Sequence, residues 1–476
     1  MFRGADDGAR AWSISRRMDG LPSPTARDSV DPWRLPLFCL AAAVVLALTL
    51  QLSNGTLLDT SLRGLTLALG LALLAVVGPG VSRPWTWGEA ALALGLGVGL
   101  LLQLQALLTD YPSSALRLQG PWPFALFHER LAAAALVSGA LLAGPNWLRK
   151  VGVPALLGVY LLLGLWILRH APSPHIDVLV FQVQGADELL RGQNPYAMTF
   201  PNIYGHGHWY GEGLVRDGRL LFGFPYPPLS LMFATLGRAL ATDPRHAQLV
   251  ATALAAGLMA WTRGGRLGAG AAALYLLTPR GFFVLEQSWT EPFLVLLLSA
   301  TVFCAVRFPR ALPYVFGLTL AIKQHTVFLL PLALLLLPEP RQQLWSFLWR
   351  TGATALAVSL PFALPDPKAF FHSVVALHIH QPFRVDSLSY LAAWVAKGHP
   401  TPPLWIPFAA VAAALGLSLW RAPRTPAGFA AATALTYATF FAFNKQAFCN
   451  YYYFVVATLC LAVAATRLPS APTPAR

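Results

Sequence analysis

Charge is what this chain has little of. Only 11% of its 476 residues are Asp, Glu, Lys or Arg, against 56% hydrophobic residues and a mean hydropathy of +0.55. Soluble domains usually carry about 25% charged residues. A disordered chain is therefore excluded, and an ordinary cytosolic enzyme is strongly disfavoured. Cysteine is scarce too: Cys39, Cys304, Cys449 and Cys460 sit in or beside apolar runs, without a CxxC pair or metal-ligand spacing. That excludes a disulfide-built secreted scaffold and leaves the thiols as small hydrophobes. Neither a GxxxxGK[ST] loop nor a convincing GxGxxG after a strand is present, which argues against a nucleotide-sugar ligand. No apolar segment follows the start, so a cleavable signal peptide is not expected.

What the chain has is apolar runs. They fall at about 35–53, 63–81, 86–108, 130–144 and 151–168. More follow near 226–242, 246–262, 267–285, 289–306, 311–337, 344–364, 403–420, 427–443 and 448–466. Since a spanning helix takes roughly 20 apolar residues, they predict an all-α, polytopic integral membrane protein with about 12–14 transmembrane helices. The 130–144 run is short and must borrow from its flanks. Run 311–337 carries Lys323, Gln324 and His325 in its middle, which reads as two short helices. The stretch 385–397 reads as re-entrant. No internal repeat stands out, unlike the inverted-repeat transporters.

The 34 Lys+Arg against 20 Asp+Glu give a net charge of +14. Many basic residues lie between the runs or in the tails, where cytoplasmic segments collect them. The lipid bilayer and a lipid-linked phosphate are better partners for them than nucleic acid. Residues 1–35, with Arg and Asp nearly balanced among Pro, Ser and Gly, read as a disordered cytoplasmic tail. With that tail inside, Arg83, Arg149 and Lys150 also fall inside, against Arg63, Arg117, Arg130 and Arg169 outside. The expected order is then a tail (1–35), N-terminal transmembrane helices (36–169), an extracytoplasmic loop (170–225), a C-terminal transmembrane bundle (226–466) and a disordered tail (467–476).

Segment 170–225 is the anomaly. Loops of that length are functional or disordered, and this one holds Tyr196, Tyr204, Trp209, Tyr210, Phe222, Phe224 and Tyr226 at its end, too many aromatics for disorder. Residues 178–190 fit one short interfacial helix, with Gly192 just past its end. Asp177 has two readings. As a general base its pKa would be raised by desolvation; as a structural residue it would cap the helix.

Asp177, Phe181, Leu189-Leu190-Arg191-Gly192-Gln193-Asn194-Pro195-Tyr196 and Phe224-Pro225-Tyr226-Pro227-Pro228-Leu229 together resemble a known pattern. It is the first-loop signature of GT-C glycosyltransferases, closest to the polyprenol-phosphate-mannose-dependent glycosyltransferase family 87. Gln287 and Glu291, Ala321-Ile322-Lys323-Gln324, Asn444-Lys445-Gln446 and Asn450-Tyr451-Tyr452 are similar to later pieces, so the resemblance covers about 170–460. The departure is at the front, where about five apolar runs precede Asp177 and not one.

The resemblance implies an inverting transfer of a hexose, with mannose the leading candidate, from a polyprenyl-phosphate donor. The acceptor would be a lipid, glycan or protein outside the cytoplasm, and the enzyme a multi-pass protein of the cell membrane. Asp177 would be the base, with Asp187 and Glu188 ranked below it. Lys323, Arg384 and Lys445 would hold the leaving phosphate. His175, Asn194, Tyr196, Tyr226, Gln324, His378, His380 and Gln446 complete the substrate-binding candidates. No cofactor is implied. A divalent metal stays open but is not indicated, because His206-Gly207-His208 and the pair His378 and His380 with Asp386 lack a full ligand set. The alternative is a transporter or flippase of an anionic or lipid-linked substrate, its path lined by the embedded cations.

Overall fold

The computed structural model describes residues 33–78, 87–114, 116, 122–205 and 209–467. Most of both expected tails, Arg83, Arg117 and His206-Gly207-His208 lie outside the described residues. Five helices open the chain: α1 (Arg34–Ser53), α2 (Asp59–Val77), α3 (Gly88–Thr109), α4 (Trp122–Ala143) and α5 (Asn146–His170). Each is long and apolar enough to cross a membrane. The short run at 130–144 does borrow from its flank, since α4 begins at Trp122.

After α5 come α6 (Asp177–Leu190) and three two-residue strands, β1 (Phe200–Pro201), β2 (Val215–Arg216) and β3 (Arg219–Leu220). The C-terminal half then runs through α7 (Pro228–Ala241), α8 (Arg245–Arg263), α9 (Gly265–Leu276), α10 (Gly281–Glu286), α11 (Glu291–Arg307) and α12 (Leu312–Leu320). A 3-10 turn at Gln324–Phe328 leads into α13 (Leu329–Leu332) and then α14 (Pro340–Ala363). Next are α15 (Pro367–Phe371), a π turn at His372–Ala376, α16 (Leu377–His380) and α17 (Tyr390–Ala396). The last three helices are α18 (Trp405–Arg421), α19 (Pro426–Ala442) and α20 (Cys449–Ala465). Helix α14 and the segment Pro367–His380 are bent by 117°, and together they form either a broken span or a re-entrant hairpin. The chain is an all-α, multi-pass membrane protein.

Helix α20 is the hub. It is buried along nearly its whole length and packs against α1, α9, α11 and α19. The N-terminal helices are therefore no appendage, because α1 lies directly on that hub and α3, α4 and α5 pack on α9. Opposite faces of α2, α3 and α4 leave Leu67, Leu94, Leu101 and Leu136 outward. In lipid such a face meets a matching solvent and needs no partner.

Two apolar runs behave differently from expectation, and a third breaks where expected. Run 226–242 forms α7, which at 14 residues is shorter than a spanning helix needs. Just before it Tyr226 accepts from the buried Tyr196 hydroxyl (2.8 Å), and just after it Arg245 donates to the Ala171 carbonyl (2.8 Å). Both of its ends thus return to the 170–225 segment, and Arg238 clasps Asp187 of α6 on the way. Run 267–285 breaks at Thr278–Arg280 into α9 and α10. Run 311–337 breaks at Lys323, whose backbone is extended (φ −154, ψ 148). The break brings the Lys323 amine to Glu291 at the start of α11, the counter-ion that a buried charge in an apolar bundle needs.

Segment 170–225 folds as a small lobe. Phe181, Tyr196, Phe200, Leu220, Phe222 and Phe224 form its core, each large ring contributing about 1.5–3 kcal/mol on burial. The strands pair antiparallel in the order β1-β3-β2 around the turn Asp217-Gly218, where φ is 49 and 72. Two positive φ values in a two-residue hairpin loop are what Asp-Gly accommodates. Gly211 and Gly223 allow docking: a Cβ on Gly211 would stand 2.1 Å from the His380 carbonyl oxygen, and one on Gly223 2.2 Å from that of Tyr196.

Candidate functional site

Asp177 is the first residue of α6, and the N-cap is Ile176. Ile176 makes no side-chain cap hydrogen bond, and Asp177 does not occupy the N-cap position. Its carboxylate is instead held by phenols: Tyr210 donates to Oδ2 at 2.7 Å and Tyr204 to Oδ1 at 3.4 Å. The backbone N–H of Asp177 donates to the Tyr204 oxygen at 3.2 Å. Burial raises the Asp177 pKa above the ordinary carboxylate value, while the hydroxyls of Tyr210 and Tyr204 oppose that shift. A carboxylate in that state is a stronger base than one in water, and it is aimed by two fixed donors.

From Asp177 the site runs in two directions. On one side Tyr204 packs against Trp209 (5.1 Å between ring centroids), and Trp209 covers the Arg384 guanidinium at 4.5 Å. The Phe448 ring also lies 4.7 Å from the Arg384 guanidinium. Arg384 forms a bidentate pair with Asp386 (2.8 and 2.7 Å), and its fork holds the Asp386 carboxyl below the usual range. The Arg384 N–H donates to the Lys445 carbonyl at 2.9 Å. The Lys445 ammonium donates to the carbonyls of Gln381 (2.6 Å) and Ile379 (3.1 Å), and burial lowers its pKa. Among the described residues Lys445 pairs with no carboxylate.

On the other side is Tyr226. Its phenol pKa is pushed up first by burial, then by the carboxylates of Asp177 and Glu291. Lys323 lies over the Tyr226 ring at 5.3 Å and the Tyr451 ring at 5.6 Å, and is ion-paired with Glu291. Both members are deeply buried, at 5% and 1% exposure. Glu291 Oε1 also accepts from Asn450 at 2.8 Å, while Oε2 is buried without a hydrogen bond.

Of the residues singled out in the sequence, Asp177, Tyr226, Lys323, Arg384 and Lys445 are gathered here. Gln324 and His378 stand behind them, both bonded to the Pro225 carbonyl (2.7 and 3.0 Å) and to each other. They brace the backbone beneath Tyr226. Gln446 follows Lys445, half-buried. Tyr196 lies within the lobe core, and Asn194 Oδ1 accepts from its N–H at 3.0 Å. His175 and His380 are exposed, His175 meeting the Ile203 carbonyl at 3.1 Å. Asp187 and Glu188 line a separate polar cleft with Arg191 and Arg219.

The sequence reading missed the counter-ions. Glu291 and Asp386 each neutralise a cation that it assigned to phosphate. It took Tyr204, Trp209 and Tyr210 only as aromatics too numerous for a disordered loop. Among the described residues, His, Cys, Asp and Glu form no group of three or more able to hold a metal ion.

The sequence matches no protein-family model and no curated protein. The structure is similar to the crystal structure of ArnT from Cupriavidus metallidurans bound to undecaprenyl phosphate, at 16% identity and a TM-score of 0.43. The alignment covers 67% of this chain and 60% of that one, so the chain spans less than two thirds of that protein's length.

Proposed function

We propose that this protein is a membrane glycosyltransferase of the GT-C type, moving a hexose from a polyprenyl-phosphate donor to an extracytoplasmic lipid, glycan or protein acceptor. Mannose is the first sugar to test. One observation carries the reading: an aimed carboxylate of raised pKa shares the lobe–bundle boundary with three cationic side chains. Asp177 takes the proton from the acceptor hydroxyl as that oxygen bonds to the anomeric carbon. The bond from that carbon to the phosphate oxygen breaks, and the electron pair leaves with the polyprenyl phosphate, inverting the centre.

Charge growing on the departing phosphate needs fixed cations. Lys445 is the leading one, since no carboxylate competes for its ammonium. Arg384 and Lys323 engage the phosphate only in competition with Asp386 and Glu291. The gathering of these groups against the aromatic lobe, and not among discontinuous helices of two repeated halves, favours transfer over transport. Membranes containing the protein, supplied with radiolabelled polyprenyl-phosphate mannose, polyprenyl-phosphate glucose or a nucleotide sugar, test the donor class. Label should move only from a polyprenyl phosphate. Transfer from the nucleotide sugar alone would contradict the proposal.

A further inference from the structure

The N-terminal helices help build a second cavity next to the segment that carries Arg384. It measures about 440 Å³ and is bounded by Asn54 after α1, by Asp110, Tyr111 and Ser113 after α3, and by Arg280 before α10. Ligand sites commonly fall between about 300 and 1,000 Å³. Arg280 is only 7% exposed; it donates to Asp110 (3.2 Å) and to the Tyr111 carbonyl (2.7 Å). Gln51 also donates to Asp110, at 2.6 Å. Glu286, which accepts from the lining Ser114 N–H and hydroxyl (3.0 and 3.1 Å), adds a second carboxylate beside Arg280, so no cation is in surplus to attract a phosphate.

Some of its polar atoms have no partner in the protein. Asn54 Oδ1, Ser113 Oγ and Arg280 Nε, together with the adjoining Gln51 Oε1, are buried without hydrogen-bond partners. More than 90% of buried polar groups in folded proteins are paired, so four bare ones around one cavity mark a place for a hydrogen-bonding occupant. They mix donors and acceptors, as the hydroxyls of a sugar do. Tyr111, 60% exposed at the rim, offers an aromatic face for a pyranose ring.

The cavity adjoins the transfer site. Directly after Asn54, Thr56 bridges to Ser387, Leu57 N–H donates to the Asp386 carbonyl (2.9 Å) and Leu388 N–H to that of Gly55 (3.2 Å). The α1–α2 turn is thereby stitched to the segment that carries Arg384. Gly55, with φ of +76, is pressed so close that a Cβ would lie 2.1 Å from the Cys449 nitrogen.

We infer that this cavity binds a neutral sugar unit, and that the additional N-terminal helices exist in part to form it. Its role as the acceptor's sugar subsite rests on the transferase reading above. The test uses the full chain in phosphatidylcholine nanodiscs free of glycoside detergents, titrated with methyl mannoside, methyl glucoside or inorganic phosphate. A parallel arm carries a mannosyl-lipid in the disc, so that a free sugar and a lipid headgroup are distinguished. Tyr111→Ala, Asn54→Gly and Ser113→Ala are compared with wild type. Gly keeps the left-handed backbone of Asn54 (φ 54), and Ala removes a hydroxyl that bonds to nothing in the protein, so these variants should fold.

Each should weaken saturable sugar binding roughly three- to tenfold, the worth of one hydrogen bond or ring contact. Failure of wild type to bind in either arm, binding unmoved by all three variants, or phosphate binding more tightly than either sugar would overturn the inference. Asp177→Asn should leave sugar binding intact. If that variant also keeps full transfer, the base assignment falls and the cavity stands; if transfer is lost but cavity variants do not affect binding, the cavity alone falls.

Discussion

The buried pair Glu291–Lys323 gives the sharpest energetic prediction. Removing one partner of a buried ion pair leaves an uncompensated charge and costs about 3–5 kcal/mol, whereas replacing both with apolar residues is often neutral. In Lys323→Met the carboxylate of Glu291 keeps one hydrogen bond, from Asn450, and its other oxygen has none. The full penalty of about 3–5 kcal/mol should appear. In Glu291→Gln the ammonium remains between Tyr226 and Tyr451. Desolvated cation–π contacts offset up to about 2 kcal/mol, so this variant should lose roughly 1–3 kcal/mol. The double variant Glu291→Leu/Lys323→Met should recover to within about 1–2 kcal/mol of wild type. Unfolding by SDS titration in mixed micelles, followed by tryptophan fluorescence, supplies the cycle. A loss below about 1 kcal/mol in Lys323→Met, or a double variant as unstable as the two losses summed, would refute the reasoning.

Other consequences follow from the same geometry. Tyr210→Phe removes the 2.7 Å donor that opposes the burial-driven rise in the Asp177 pKa, so the acid limb of the pH–rate profile should move to higher pH, and an unmoved limb would separate Tyr210 from the base. Lys445→Gln should raise the donor KM by roughly ten- to a hundredfold, the worth of a charge-assisted hydrogen bond. Since burial lowers the Lys445 pKa, wild-type activity should also fall at a lower alkaline pH than a free lysine would give. Gly211→Ala puts a Cβ against the His380 carbonyl and should undock the lobe, read as faster proteolysis and hydrogen exchange across 200–225 with the bundle helices unchanged.

Much of the bundle was legible because apolar length is a direct consequence of solvation in lipid. The long runs became α1 to α5, and the break at Lys323 was visible as three polar residues inside an apolar stretch. Run 226–242 is less legible, because composition does not fix where a helix ends: α7 keeps only 14 helical residues, and the segments flanking it are tied to Ala171 and Tyr196 by long-range bonds. The short sheet was missed although Val215-Arg216-Asp217-Gly218-Arg219-Leu220 carries an Asp-Gly hairpin signal. Asp177 could be picked out by its position at an apolar boundary. Its holders, Tyr204 and Tyr210, could not, because they come from a loop whose path only the fold determines. The cations had the same problem in reverse, since Lys323 and Arg384 are conspicuous while Glu291 and Asp386 become meaningful only once paired.

The central claim is that Asp177 is the base of a sugar transfer, and Asp177→Asn tests it most directly. Burial raises the folded-state pKa, so the ionised carboxylate destabilises the fold progressively as pH rises from the ordinary value, about 3.9, through the raised one. The Asn variant should therefore fold at least as stably as wild type at neutral pH, and so serves as its own control. Membranes holding equal amounts of each protein would be given the labelled polyprenyl-phosphate sugar that wild type uses, with a total lipid and glycan extract as acceptor. The account predicts a labelled product with wild type and a loss of at least roughly a hundredfold with Asp177→Asn, the scale of general-base catalysis. Undiminished transfer by the folded variant would contradict it.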